Sequence, residues 1–139
     1  MILVDANIPM YAAGAEHPHK QTSLALFEAI AEGRIEAALD AEVLQEILHR
    51  YRAIDRWDDG RRVFDLCRRI FHLVFPIEVE VVEHARLLLD AHPGLGARDA
   101  LHAAVAMDYG LESICSYDRG FDELSVRRIE PTEILNSLV

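Results

Sequence analysis

The sequence predicts an α/β fold in one domain spanning residues 1–139, with a mostly parallel central sheet covered by helices on both faces. Short apolar runs alternate with helical periodicities along the whole chain, which is the pattern of parallel strands joined by helical crossovers. The 139 residues are 51% hydrophobic and 27% charged, a size and composition that fit one domain able to bury most of its apolar surface. No internal repeat, low-complexity tract or linker divides them.

Met1-Ile-Leu-Val-Asp5 is an apolar run ending in a carboxylate, and Asn7 and Pro9 follow as helix-entry signals, so a strand leads through a turn into a helix. His17 and Pro18 break that helix. Leu24, Ala25, Phe27, Ala29 and Ile30 recur at helical spacing until Gly33 closes a second one. Ile35 to Leu39 reads as the next strand. Asp40 then caps a helix with the apolar face Val43, Leu44, Ile47, Leu48 and Tyr51, which sets Glu46 beside that face. After a polar break at Asp55 to Gly60 comes a helix turning Val63, Phe64, Cys67, Ile70 and Phe71 inward, so the two form a helical hairpin. His72 to Pro76 is a third short strand, and Val79 to Leu89 an amphipathic helix. Ala97 to Met107 is a helix dense in alanine, small enough to lie close to a sheet, and Gly110 ends it. Ser113 to Ser116 is a strand running into Tyr117-Asp118, Arg127 to Ile129 a weak last strand, and Pro131 opens a short final helix.

Composition excludes several classes. Cys67 and Cys115 are too few for a disulfide framework and sit in apolar stretches, the signature of reduced core thiols in a cytoplasmic protein. No uncharged run is long enough for a membrane span, and Asp5 interrupts the first apolar stretch, so no membrane role is expected. Net charge is −10, the wrong sign for holding nucleic acid by bulk electrostatics. Local charge differs: residues 50–69 hold seven arginines against four aspartates. This stretch is either a solvated face of Arg/Asp pairs or a contact for phosphate or a partner. We expect the hairpin that carries it to face partner and substrate through Arg61, Arg62, Arg68 and Arg69.

Ligands of parallel α/β sheets bind beyond the carboxyl ends of the strands. Asp5 and Asp118 fall there, Asp99 lies in the first turn of the alanine-rich helix, and Glu46 sits on a half-apolar helix face. Each alone reads as an ordinary cap, turn or surface charge. Brought within ~4–6 Å of one another, four carboxylates repel, raise each other's pKa and cost stability until a cation neutralises them. All-oxygen ligands select Mg²⁺ or Mn²⁺, and such an ion can lower the pKa of a water, orient it on a phosphodiester and stabilise the leaving oxygen. His102, one helical turn after Asp99, reads first as a packed, hydrogen-bonded histidine and second as a ligand. His17 and His19 are a weak metal signal. Gly94-Leu-Gly96 lacks the third glycine and the preceding strand of a dinucleotide site.

Met1-Ile-Leu-Val-Asp-Ala-Asn7, Glu46 within Val43-Leu-Gln-Glu-Ile, Ala97-Arg-Asp-Ala-Leu-His-Ala-Ala104 and Ser116-Tyr-Asp-Arg-Gly-Phe121 resemble, in order, the four motifs of the PIN domain. Their length and spacing look most like VapC-type toxins of bacterial toxin–antitoxin pairs. The resemblance implies a three-layer α/β/α sandwich, Mg²⁺ or Mn²⁺ dependence, endoribonuclease activity on RNA, a homodimer and a small antitoxin partner. It assigns Asp5, Glu46, Asp99 and Asp118 as the four acids, with Asp5, Asp99 and Asp118 as metal ligands. Asn7 and Ser116 would support them, and Asp122 is a further candidate acid. Ala6 replaces the hydroxyl residue the family commonly carries after its first aspartate. A haloacid-dehalogenase phosphotransferase would need an aspartate at position 7, and a receiver domain a lysine after a late strand; neither is present. A different class of reading keeps the fold but makes it a non-catalytic or weakly catalytic binding module acting through the antitoxin as co-repressor.

Overall fold

The computed structural model describes residues 1–139. Five strands, β1 (Ile2–Val4), β2 (Ala37–Asp40), β3 (Val74–Phe75), β4 (Ser113–Cys115) and β5 (Arg127–Ile129), form one sheet in the order β3-β2-β1-β4-β5. Every pairing is parallel, so the mostly parallel sheet expected from sequence is parallel throughout. Seven helices surround it: α1 (Asn7–Ala13), α2 (Lys20–Ala31), α3 (Ala41–Ala53), α4 (Trp57–Ile70), α5 (Val79–Ala91), α6 (Ala97–Asp108) and α7 (Pro131–Asn136). A single 3-10 turn spans Arg119–Glu123.

The strands alternate their side chains between two apolar cores, as the period of two requires. Val4, Leu39 and Cys115 enter a core with Ile8, Phe27, Val43, Ile47, Cys67 and Phe71, under α1 to α4 and α7. Leu3 and Ile114 enter the opposite core with Val81, Ala85, Phe121 and the alanines of α6. The result is the expected α/β/α sandwich. Ala100, Ala103, Ala104 and Ala106 are all fully buried, because methyl side chains let α6 lie close to the sheet.

The element boundaries shift where local signals were ambiguous. β2 begins at Ala37 rather than Ile35, and β3 contracts from His72–Pro76 to two residues, because pairing with β2 exists only at Val74 and Phe75. α4 starts inside the polar stretch Asp55 to Gly60: Asp58 and Asp59 occupy its first turn, where the helix dipole favours acids. Gly60 lets this helix meet α3, since a Cβ there would stand 2.5 Å from Tyr51 Cβ.

The strand order places a topological switch between β1, which continues leftward to β2, and β4, which continues rightward to β5. Such a switch opens a crevice at the strands' carboxyl ends. Val4 pairs with Cys115, so the next residues, Asp5 and Ser116, emerge side by side into it.

Candidate metal centre

Asp5 is 5% exposed and held at both oxygens: Ala6 N donates to Oδ1 at 2.7 Å and Ser116 Oγ donates to Oδ2 at 2.6 Å. With its proton committed there, Ser116 Oγ accepts from Asn7 Nδ2 at 3.1 Å and from Asp118 N at 2.9 Å. One hydroxyl therefore ties together β1, the start of α1 and the turn after β4. It also fixes the Asn7 amide, whose Oδ1 is buried without a donor.

Asp118 caps the 3-10 turn by accepting from Gly120 N at 2.8 Å. Its carboxyl stands against Asp99, in the first turn of α6. A Cβ on Gly120 would lie 3.1 Å from Asp118 Oδ1 and 3.5 Å from Asp99 Oδ2, so glycine leaves the space into which both carboxylates project. Burial, then the Asp118 carboxyl and the charge of Asp5, push the Asp99 pKa up to about 8. Burial likewise raises Asp5, against the opposing pull of His102 and the Ser116 hydrogen bond.

Glu46 joins the group through His102. That histidine is fully buried, with Nδ1 2.7 Å from Asp40 Oδ2, Nε2 2.7 Å from Glu46 Oε1, and Nε2 3.5 Å from Asp5 Oδ1. Burial alone would lower its pKa, but the facing carboxylates, Asp40 foremost, hold it well above the ordinary histidine value. Asp5, Glu46 and His102 bring ligand-type atoms within 4.8 Å of one another. Both ring nitrogens are engaged by carboxylates, so in this arrangement His102 is a buried spacer between Asp40 and Glu46. The packed, hydrogen-bonded reading of His102 is the one realised.

Sequence reasoning missed Asp40 as part of this network. It was recognisable as a helix cap, and Oδ1 does accept from Val43 N at 3.0 Å, but its second oxygen meets a histidine 62 positions away. Arg128 was missed as well. It donates to the Ser116 carbonyl at 3.0 Å and pairs with Asp122 and Glu130 at 2.8 Å each, bracing the turn that carries Asp118. Asp122 is thus committed to Arg128, which holds its carboxyl below the usual range. It braces the turn instead of adding an acid to the group. His17 and His19 pack with Tyr11 and Tyr117, His19 stacking on Tyr117 at 3.7 Å, so that pair is structural. Cys67 and Cys115 are free and buried. Arg61 and Arg62 pair with Asp58 and Asp59 on the exposed face of α4, the solvated reading of that stretch.

The acids stand in two groups: Asp5 with Glu46 and His102, whose ligand-type atoms lie within 4.8 Å of one another, and Asp99 with Asp118, where the charge of Asp5 is still felt. Buried Asp5 and Asp99, both raised and each beside another acid, suit a hard divalent ion. A groove of about 870 Å³ leads away from Asn7 and Glu46 between α1, α3, α4 and the start of α6.

The PIN domain family model matches residues 2–126. A VapC ribonuclease of Mycobacterium bovis and Ribonuclease VapC13 of Mycobacterium tuberculosis are each 49% identical over 122 residues, covering 88% of this chain and 93% of theirs. Ribonuclease VapC7 of Mycobacterium tuberculosis is 39% identical over 129 residues, 90% of this chain and 87% of its own. Among solved structures, the Sarcin-Ricin loop cleaving toxin VapC20 of Mycobacterium tuberculosis superposes with a TM-score of 0.79 at 16% identity, over 94% of this chain and 100% of that one. VapBC2 of Rickettsia felis, solved on a promoter DNA fragment, superposes with a TM-score of 0.73 at 16% identity, over 94% and 98%.

Proposed function

This chain belongs to the PIN domain family, and on that footing we propose that it is the ribonuclease toxin of a VapBC-type toxin–antitoxin pair, hydrolysing RNA phosphodiester bonds with a divalent ion held by Asp5, Asp99 and Asp118, and with Glu46 as the fourth acid. The observation that supports the reading is the placing of buried acids about the switch between β1 and β4, Asp5 near Glu46 and Asp99 against Asp118, where burial and neighbouring carboxylates raise Asp5 and Asp99. Mg²⁺ or Mn²⁺ suits the all-oxygen donor set. The whole of residues 1–139 acts as one domain, in the cytoplasm, as a homodimer neutralised by a small antitoxin. No helix is long and apolar enough to cross a membrane.

Each side chain has a distinct task. Ser116 and the Ala6 amide each occupy one lone pair of Asp5, leaving one on each oxygen for a cation and fixing the carboxylate plane. Asn7 aims the Ser116 hydroxyl; Gly120 and Ser116 fix Asp118 from two sides. His102 holds Glu46 at the edge of the group without taking a coordination position. When bound, the ion neutralises the carboxylates, acidifies a water and stabilises charge on the phosphate.

The test is cleavage of defined RNAs with Mg²⁺ or Mn²⁺ and with chelator. We expect Asp5→Asn and Asp99→Asn each to lower the rate by at least about a hundredfold, since even groups behind metal ligands are worth 10–100-fold. Absence of metal-dependent cleavage by the wild type overturns the nuclease reading in favour of a binding module, and cleavage that persists at the native rate in both variants overturns the assignment of these acids.

A further inference from the structure

The groove beside the acid group separates the chain's arginines into two kinds. Arg61 and Arg62 pair with Asp58 and Asp59 and do not line the groove, whereas Arg50, Arg56 and Arg98 line it together with Asn7, Glu46 and Asp59. Arg56 is paired with Asp59 at 2.6 Å. Arg50 has no carboxylate within ion-pair distance. Arg98 reaches only Glu42, at 4.0 Å, and is half exposed. Arg50, without an ion pair, and Arg98, paired only at 4.0 Å, thus stand along one channel that begins beside Glu46, in a molecule that is otherwise strongly acidic. Tyr11 adds aromatic surface to the same wall, whereas the ring of Tyr51 is buried in the core. Guanidiniums spaced along a groove with interleaved rings are how single-stranded nucleic acid is followed: cations take phosphates and rings take base faces.

We propose that this groove is the track of the RNA strand on one side of the cleaved bond, with Arg98 and Arg50 contacting successive phosphates and Tyr11 meeting a base. The inference rests on the nuclease reading above and specifies the path the substrate takes into that centre. Arg98 precedes Asp99 at the start of α6, so it takes the phosphate nearer the acids. Arg50, one turn beyond Glu46 on α3, takes the outer one. Arg61 and Arg62, expected from the sequence to face substrate, do not line the groove and are not part of the track.

Binding of a fluorescein-labelled single-stranded RNA is measured on the Asp99→Asn protein, so that binding is read apart from cleavage, over a range of salt. Arg50→Glu with Arg98→Glu in that background should weaken binding about tenfold or more, and flatten the log–log salt dependence by about 0.7 for each phosphate no longer neutralised. Arg50→Gln with Arg98→Gln, which keeps side-chain bulk, should weaken it in the same sense by less. Arg61→Glu with Arg62→Glu, an equal change of charge, should cost about twofold or less. RNA affinity and salt slope unchanged by both groove pairs overturn the proposal, and an effect confined to affinity for the cognate antitoxin makes the groove a protein interface instead. Wild-type cleavage, assayed separately, reports on the nuclease reading, so the track can fail while that reading stands.

Discussion

At the scale of single residues the centre depends on atoms that each serve two partners. Asp40 caps α3 with one oxygen and holds His102 with the other, both inside a site sealed from solvent. Truncating one partner of a buried ion pair strands the other charge, at a cost of about 3–5 kcal/mol. We therefore expect His102→Ala to unfold at markedly lower urea than wild type, by roughly that amount. A variant of native stability would show that the imidazole is not a counter-cation. Ser116 is more economical still: one oxygen donates once and accepts twice, a full complement for a hydroxyl.

At the scale of elements, two contacts set the geometry of the groove and of the centre. The α3–α4 hairpin closes on Gly60, where any side chain would collide with Tyr51. Because Tyr51 also lines the groove, Gly60→Leu should cost about 1–3 kcal/mol by overpacking and should widen the groove as α4 is pushed away. Thermal unfolding together with RNA affinity checks this; a wild-type melting temperature would mean that the hairpin repacks freely. α6 is the second case. Its buried methyl face brings Asp99 and His102 near the sheet, so the run of alanines, read from the sequence as small enough to lie close to a sheet, is a positioning device for both.

At the scale of the whole molecule, the centre makes the fold sensitive to pH and to cations. Asp5, Asp99 and His102 all have folded pKa values above their ordinary ones. Each therefore binds its proton more tightly folded than unfolded, and stability falls with rising pH wherever the folded state holds more protons. For the carboxyls the loss begins near the unfolded value of about 4 and runs to about 8, where Asp99 ionises. The His102 contribution is complete below about 6.5 and is lost as pH rises through its higher folded value. In chelator the melting temperature should accordingly drop between pH 6 and pH 8.5. Added Mn²⁺ or Mg²⁺ should raise it more at pH 8 than at pH 6, since the ion stabilises only the deprotonated cluster. An ion effect independent of pH would separate metal binding from these acids. The −10 net charge acts in the same direction, repelling RNA everywhere except along a locally basic path.

Element identity and order were written locally. Periods of two and 3.6, Asp40 as a cap and Pro131 opening α7 each require only neighbours in the chain, and the carboxylates at strand ends and helix starts follow from those elements. Four acids in motif order were enough to name a family and to point at one crevice. The partner of each oxygen was not written there. Ser116 reaches Asp5 across 111 positions, His102 reaches Asp40 and Glu46 across 62 and 56, and Arg128 draws Asp122 away from the acids. The division of the arginines into paired and free depends on which face of α4 meets solvent and which meets α1 and α3. Such contacts are settled only when α6 packs onto the sheet and α3 onto α4, because hydrogen bonds and charge pairs act over a few ångströms while the chain that supplies them carries no local mark of its distant partner.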